Sequence, residues 1–299
     1  PMNKILKLPK MCFKINEYLK KSKKKIILIE GASWIFYSFF ILFFFKTFYT
    51  KIKVIYISHS IESEIRKKYS NIIIYHLTKY LEKLVFKLSD ISTSVSNKEK
   101  KKIKMIYNVN TFLFPNAISI NKFQKKKILN YNYIIYTGSY SYKPNKDAID
   151  YLNKFIMPQL LKKIPNLKLV LTGGGYSKKI PWVVNKGIVS KKDLLNLLFF
   201  SKCLCVPLKF GSGTRIKIIE ALSIGAIVVS SKKGIEGIKT KTFNPPFIID
   251  KNEKLIQNLL KIIKDNKNIK RKAILSKKYY LTKYSMKNLI KKFIYENKI

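Results

Sequence analysis

The feature that most limits the fold is an alternation carried along nearly the whole chain. Short, continuously apolar, β-branched runs are separated by longer segments of helical periodicity. Strands that lack a polar/apolar alternation are buried on both faces, as in parallel sheets covered by helices. The first part predicts strands at 26–30, 53–58, 91–95 and 112–114, and helices at 34–45, 61–88 and 97–105. The segment 116–132, NAISINKFQKKKILNYN, is polar and weakly periodic and reads as a linker. Beyond it, strands are expected at 133–137, 168–172, 183–186, 203–206, 226–230 and 247–249. Helices are expected at 146–163, 192–200, 215–224, 252–264 and 267–297. A chain of 299 residues is long enough for two cores. The expected architecture is therefore α/β: two Rossmann-like domains, 1–118 and 119–299, with parallel sheets facing across a cleft.

Composition decides less than its extremes suggest. Sixty-one Lys and Arg against 16 Asp and Glu give a formal charge of +45. Gathered on one face, such an excess would point to nucleic acid or an anionic membrane. Here the lysines are spread over nearly every segment, and Ile and Asn are also abundant. A solvated surface under compositional bias is one reading, and a charge directed at an anionic membrane surface is the other. No common DNA- or RNA-binding motif is present, so no specific nucleic-acid partner is expected.

Cys12, Cys203 and Cys205 give no disulfide framework, and CLCVP places two of them in an apolar strand. A reducing, cytoplasmic setting fits. The run WIFYSFFILFFF at 34–45 holds about 12 residues, short of the ~20 that cross a bilayer. It reads as a buried helix, or as an interfacial helix that would make the protein peripheral on the inner face of the cell membrane.

In a covered parallel sheet, ligands meet the loops after the carboxyl ends of the strands. The most informative loop opens FGSGTRIKIIEALSIGAIVVSSKKGIEG, residues 210–237. Gly211 and Gly213, flanking Ser212, let the backbone approach a ligand closely. Thr214 is a good N-cap for the helix that follows, whose free amides and positive dipole end attract an anion. Arg215 and Lys217 add fixed cations in its first turn. Arg215 is one of only three arginines, and its planar fork suits phosphate oxygens as lysine does not. Glu220, leaning back toward the helix start, suits a sugar diol. The competing reading is an arginine on a solvated face with Glu220 paired to Lys217.

His59 directly follows an apolar strand and points either into the cleft or into a capping or core role. Glu62 is favoured as a cap of the helix it begins, and His76, inside a helix, as structural. No cluster of side chains has metal-ligand spacing, so no metal and no cofactor are expected.

On these residues the chain resembles the retaining GT-B glycosyltransferases of glycosyltransferase family 4. The stretch 210–238 is similar to their donor-site signature. YTGSYSYKPNKDAIDYL followed by IPNLKLVLTGGG resembles the first strand–helix–strand of their C-terminal domain, and VNKGIVSKKDLLNLLFFSKCLCVPL the segment on the nucleobase side. KIILIEG, VIYISHSIESE, SDISTSVSNKEKKKI and FPNAI are similar to late elements of their N-terminal domain.

The resemblance implies transfer of a sugar from a nucleotide-diphosphate-sugar donor to an acceptor hydroxyl on a glycan or lipid-linked molecule. It implies that Glu220 binds ribose and that His59 lies near the donor sugar. Gly138, Ser139, Gly211, Ser212, Gly213 and Thr214 would line the donor site. Two departures matter. Ser139 stands where the family often has an arginine, so Arg215 and Lys217 are expected to take over the diphosphate. A second glutamate common earlier in the motif is replaced by Gly211 and Ser212. The early strand and Gly-rich loop of the N-terminal domain have no counterpart, and the chain opens on Pro1, so an incomplete N-terminal domain is expected. Two other classes stay open: a non-catalytic nucleotide-sugar or polyanion binder, and a GT-B nucleotide-sugar epimerase.

Overall fold

The computed structural model describes residues 7–31, 35–49, 51–120, 125–211, 214–238, 247–249, 252–264 and 267–299. It divides into two compact units, Pro1–Pro115 and Asn116–Ile299. The first runs α1 (Leu8–Lys21), β1 (Ile26–Gly31), α2 (Ile35–Phe48), β2 (Lys53–Ser58), α3 (Glu62–Tyr69), α4 (Ile72–Leu88), β3 (Ile91–Ser94), α5 (Asn97–Tyr107) and β4 (Phe112–Leu113). Its sheet has the order β1-β2-β3-β4, and every pairing is parallel. Val54 and Tyr56 of β2, Phe45 of α2, Phe86 of α4 and Tyr107 of α5 are buried in its core.

The second unit runs β5 (Tyr133–Thr137), α6 (Lys143–Tyr151), a π-helical turn (Leu152–Ile156), α7 (Met157–Leu161), β6 (Lys168–Thr172), β7 (Val183–Asn185), α8 (Lys191–Phe200) and β8 (Leu204–Val206). It continues with α9 (Ile216–Ile224), β9 (Val228–Ser231), β10 (Phe247–Ile249), α10 (Asn252–Lys264), α11 (Lys267–Lys283) and α12 (Met286–Glu296). All strands are parallel in the order β10-β9-β8-β5-β6-β7. The sheet grows from β5 in both directions, so the order reverses between β5 and β8. That is the topological switch point of a doubly wound sheet, where a crevice opens at the strands' carboxyl ends. All five residues of β5 are buried, which is why that run shows no alternation.

Several helices break where a long one was expected. The predicted 61–88 helix is two, because the Asn71 side chain accepts from Ile74 N at 2.9 Å and starts α4 afresh. Ser285 does the same for α12. Its neighbours also bond the supposed linker: Ile118 N donates to Tyr284 O at 2.8 Å, and Met286 N donates to Ile118 O at 3.0 Å. Part of 116–132 is thus tied to the second unit, with Ile118 and Leu129 buried. The predicted 146–163 helix starts at Lys143, with Pro144 in its first turn, and relaxes to a π-turn ahead of Pro158. Pro158 lacks an N–H, so the regular ladder cannot pass through it. α1 was not expected. The aromatic helix α2 buries Ile35, Leu42 and Phe45 and leaves Phe43 and Phe48 exposed. Among the described residues no helix is long and apolar enough to cross a membrane.

Candidate functional site

The carboxyl end of β5 turns at Gly138, whose φ of +135° is open to glycine and strained for other residues. A Cβ there would fall 2.6 Å from Asn145 Nδ2 and 2.8 Å from Lys217 Nζ, so the turn rests directly on those two side chains. Asn145, nearly buried at the start of α6, holds three elements together. Its Nδ2 donates to Ser139 O at 2.9 Å, and its Oδ1 accepts from Tyr136 Oη at 2.8 Å and from Lys217 Nζ at 3.0 Å. Lys217 Nζ also donates to Thr137 O and lies over the Tyr136 ring, 4.4 Å from its centroid. The first loop of the unit and the start of α9 are therefore one bonded assembly.

On the other side of the switch point, Gly211 has φ +117°, and a Cβ there would lie 3.1 Å from Arg215 Nη2 and 3.4 Å from Pro144. The guanidinium therefore folds back over the Gly211 turn. Ser212 and Gly213 lie outside the described residues. Thr214 was expected to cap α9, but the N-cap is Arg215, in extended backbone and without a side-chain cap bond. Thr214 Oγ1 instead lies 3.1 Å from where Gly237 would carry a Cβ, and its carbonyl accepts from Asn116 Nδ2 at 3.4 Å.

Glu220 is nearly buried and pairs with Lys191, at the start of α8. It does not pair with Lys217, which turns the opposite way under Gly138. The solvated-face reading of α9 therefore fails at both residues. In the sequence, Asn145 and Gly173 stand out only as bounds of the strand-end loops 138–145 and 173–176, with no role for either, and Lys191 is not singled out. Their signals were a proline in a first helical turn (KPN), an S-x-x-D cap before α8 (Ser190 Oγ accepts from Asp193 N at 3.1 Å), and a glycine at a strand end.

In the first unit, His59 is exposed just past β2, between Ser58, which donates to Ser60 O at 3.1 Å, and α3. Glu62 does cap a helix, but a different one: its Oε2 accepts from Ile35 N of α2 at 2.7 Å while Arg66 binds Oε1. The start of α3 is served by Glu82, fully buried, which accepts from Glu62 N at 2.7 Å, Ser63 N at 3.1 Å and Tyr107 Oη at 2.6 Å. His76 is exposed on α4 rather than packed inside. Among the described residues no group of three His, Cys, Asp or Glu gathers as a metal would need.

Burial, and then the neighbouring Arg215 charge, bring the Lys217 ammonium down to about 7 from 10.5. Burial likewise lowers Arg215. Burial and Lys125 bring Lys270, which donates to Phe199 O, down to about 8. An unfolded lysine keeps its proton well above these values, so folding releases protons between about pH 7 and about pH 10. The second unit should gain stability as pH rises through that window. Lys217→Met should flatten the rise, read by urea unfolding at about pH 6 and about pH 9. Parallel pH profiles for variant and wild type would refute the assignment.

Two all-parallel units, the second doubly wound with a cationic glycine loop at its switch point, have the GT-B fold of glycosyltransferases. Residues 131–265, within the second unit, match the family model of the glycosyl transferases group 1. No curated protein matches the sequence. Among solved structures, sucrose-phosphate synthase from Thermosynechococcus elongatus aligns with TM-score 0.71 at 13% identity, over 96% of this chain and 76% of that one. A TarM variant from S. aureus, in complex with fondaparinux, alpha-GlcNAc-glycerol and UDP, aligns with TM-score 0.71 at 15% identity. That match covers 95% of this chain but 58% of the TarM chain. Anabaena HepE in complex with UDP and glucose aligns with TM-score 0.66 at 13% identity, over 90% of this chain and 77% of its own.

Proposed function

We propose that the chain transfers a sugar from a nucleotide-diphosphate donor to an acceptor hydroxyl on a glycan or lipid-linked molecule, with retention at the anomeric carbon and without a metal. The carrying observation is the switch-point assembly: the Gly138 turn seated on Lys217 and Asn145, Arg215 folded over Gly211, and Glu220 fixed on the next turn of α9. In this reading the bond from the anomeric carbon to the diphosphate oxygen breaks, and its electron pair leaves with the diphosphate. Arg215, Lys217 and the α9 amides stabilise that developing charge, as an oxyanion hole does. The acceptor oxygen bonds to the anomeric carbon, and its proton passes to the departing diphosphate.

Glu220 accepts from the ribose hydroxyls, exchanging part of its pairing with Lys191. His59 serves near the donor sugar, and Gly138, Ser139, Gly211, Ser212, Gly213 and Thr214 line the donor. An anion beside Gly138 would hold the Lys217 proton against the burial that favours its release. The protein works in the cytoplasm, peripherally on an anionic membrane.

The test is titration calorimetry with nucleoside diphosphates. Glu220→Gln should weaken the sugar-free nucleotide by about 10- to 100-fold, since a hydrogen bond to a charged group contributes about 1.5–3 kcal/mol. Unchanged affinity would remove Glu220 from the ribose. A protein that binds the donor yet neither transfers nor hydrolyses it would be the non-catalytic binder.

A further inference from the structure

The outer face of α4 is apolar. Ile73, Leu77, Tyr80, Leu84 and Leu88 recur at i, i+4, i+7, i+11 and i+15, one stripe of a helix with 3.6 residues per turn. Ile73, Leu77 and Tyr80 are 74%, 54% and 61% exposed. On one side the stripe borders the core through Thr78, Leu81 and Val85, all buried. On the other it borders Lys79, Lys83, Lys87 and His76. No carboxylate interrupts that basic edge, because the only acid of the helix, Glu82, is fully buried against α3 and Tyr107. Contiguous exposed apolar surface of this kind marks an interaction face.

We infer that α4 seats the first unit on an anionic lipid surface, lying in the interface plane with Ile73, Leu77 and Tyr80 in the acyl boundary and the lysine row against the headgroup phosphates. Charge complementarity selects this occupant. A second copy would bring another chain of formal charge +45, and the same lysine row, against the first. An apolar stripe beside a basic edge is the pattern of interfacial helices. The 17 residues of α4 reach about 25 Å along the surface, enough to set the unit's orientation. The sequence drew attention to α2 instead, but that helix gives Ile35, Leu42 and Phe45 to the core. The inference deepens the membrane contact proposed above and uses nothing of the donor site, so its failure would leave the transferase reading standing.

The experiment is co-sedimentation of the full chain with vesicles of phosphatidylcholine alone and of phosphatidylcholine with phosphatidylglycerol, across a salt series. Partitioning onto the anionic vesicles should exceed that onto the neutral ones and weaken with salt. Each lysine should contribute about fivefold, so Lys79→Gln, Lys83→Gln and Lys87→Gln together should lower binding by about 100-fold. Leu77→Glu should lower it by about 10-fold or more. Phe43→Ser on α2 should leave it unchanged, and Tyr80→Trp should shift its emission to the blue on vesicles. Circular dichroism checks that these surface variants stay folded. Equal binding by wild type and Leu77→Glu would overturn the inference. So would equal binding to neutral vesicles, or self-association that Leu77→Glu abolishes without any vesicle binding.

Discussion

Gly173→Ala should cost the second unit about 3 kcal/mol or more and lower its midpoint by on the order of 10 °C. Gly173 ends β6 with φ +114°, and a Cβ there would lie 2.5 Å from Gly138 C, 2.6 Å from Gly138 O and 2.9 Å from Ser139 N. Those are backbone atoms and have no rotamer by which to yield. They are also pinned: Gly138 N donates to Thr172 O at 2.8 Å, Tyr140 N to Gly174 O at 2.9 Å, and Gly173 N to Gly187 O at 2.7 Å. Relief can come only by pushing the Gly138–Ser139 turn off Lys217 and Asn145. Misplacement on the ångström scale can cost about 100-fold in a positioned site, so nucleoside diphosphate affinity should fall on that order.

Two neighbouring glycines separate the causes. Gly187 has φ +58° but open space around it, so Gly187→Ala should show backbone strain alone, about 1 kcal/mol. At Gly174 a Cβ would meet only Ile188, at 3.8 Å, and Gly174→Ala should be nearly silent. Thermal unfolding and calorimetry of the three variants read the order directly. Equal effects at Gly173 and Gly174 would mean that the β6 loop does not support the first loop.

The sequence carried the strands well and the helix breaks poorly. Runs such as Tyr133–Thr137 and Lys168–Thr172 are apolar because helices cover both faces of the sheet, and nothing local competes with that signal. Breaks depend on single residues whose effect is set by position. Asn71 and Ser285 look like ordinary polar helix residues until their side chains accept from an amide three residues on. In the second unit the candidate loop could be picked out because glycine, a cation fork and a carboxylate fall in one strand–loop–helix unit. Its geometry was less so. Lys217 and Glu220 share a helix, yet Lys217 bonds Asn145, 72 positions away in sequence, and Glu220 pairs with Lys191, 29 away. No local pattern reports those pairings, because the sheet order creates them. Thr214 failed as a cap because the helix begins one residue later, with Arg215 at the N-cap position, and the Thr214 hydroxyl lies beside Gly237 instead.

In the first unit the largest effect should come from Glu82→Leu, a change that keeps volume and removes an acceptor. Glu82 is fully buried and accepts from two amides at the start of α3 and from Tyr107 Oη, which also lies 2.7 Å from Ser63 Oγ. Leucine would strand these donors in a closed space, and each unsatisfied buried group costs about 1–3 kcal/mol. It also removes the anion that complements the positive end of α3. The expected loss is about 3 kcal/mol or more, on the order of 10 °C or more in the unit's midpoint. Glu82→Gln keeps the shape and one acceptor oxygen, and Tyr107→Phe removes one donor, so each should cost about 1 kcal/mol. These milder variants keep the test informative if the leucine variant does not fold.

The consequence for function follows from where α3 begins. His59 stands between β2 and that helix start, so loosening the α3 amides frees the His59 loop. Amide exchange at Glu62 and Ser63 should therefore rise in Glu82→Gln. Turnover should fall, while nucleoside diphosphate affinity, which the proposed function assigns to the second unit, stays within about twofold. Unaltered exchange at Glu62 and Ser63 would show that the carboxylate does not hold the helix, and a parallel loss of nucleotide affinity would show that it acts elsewhere than through the His59 loop.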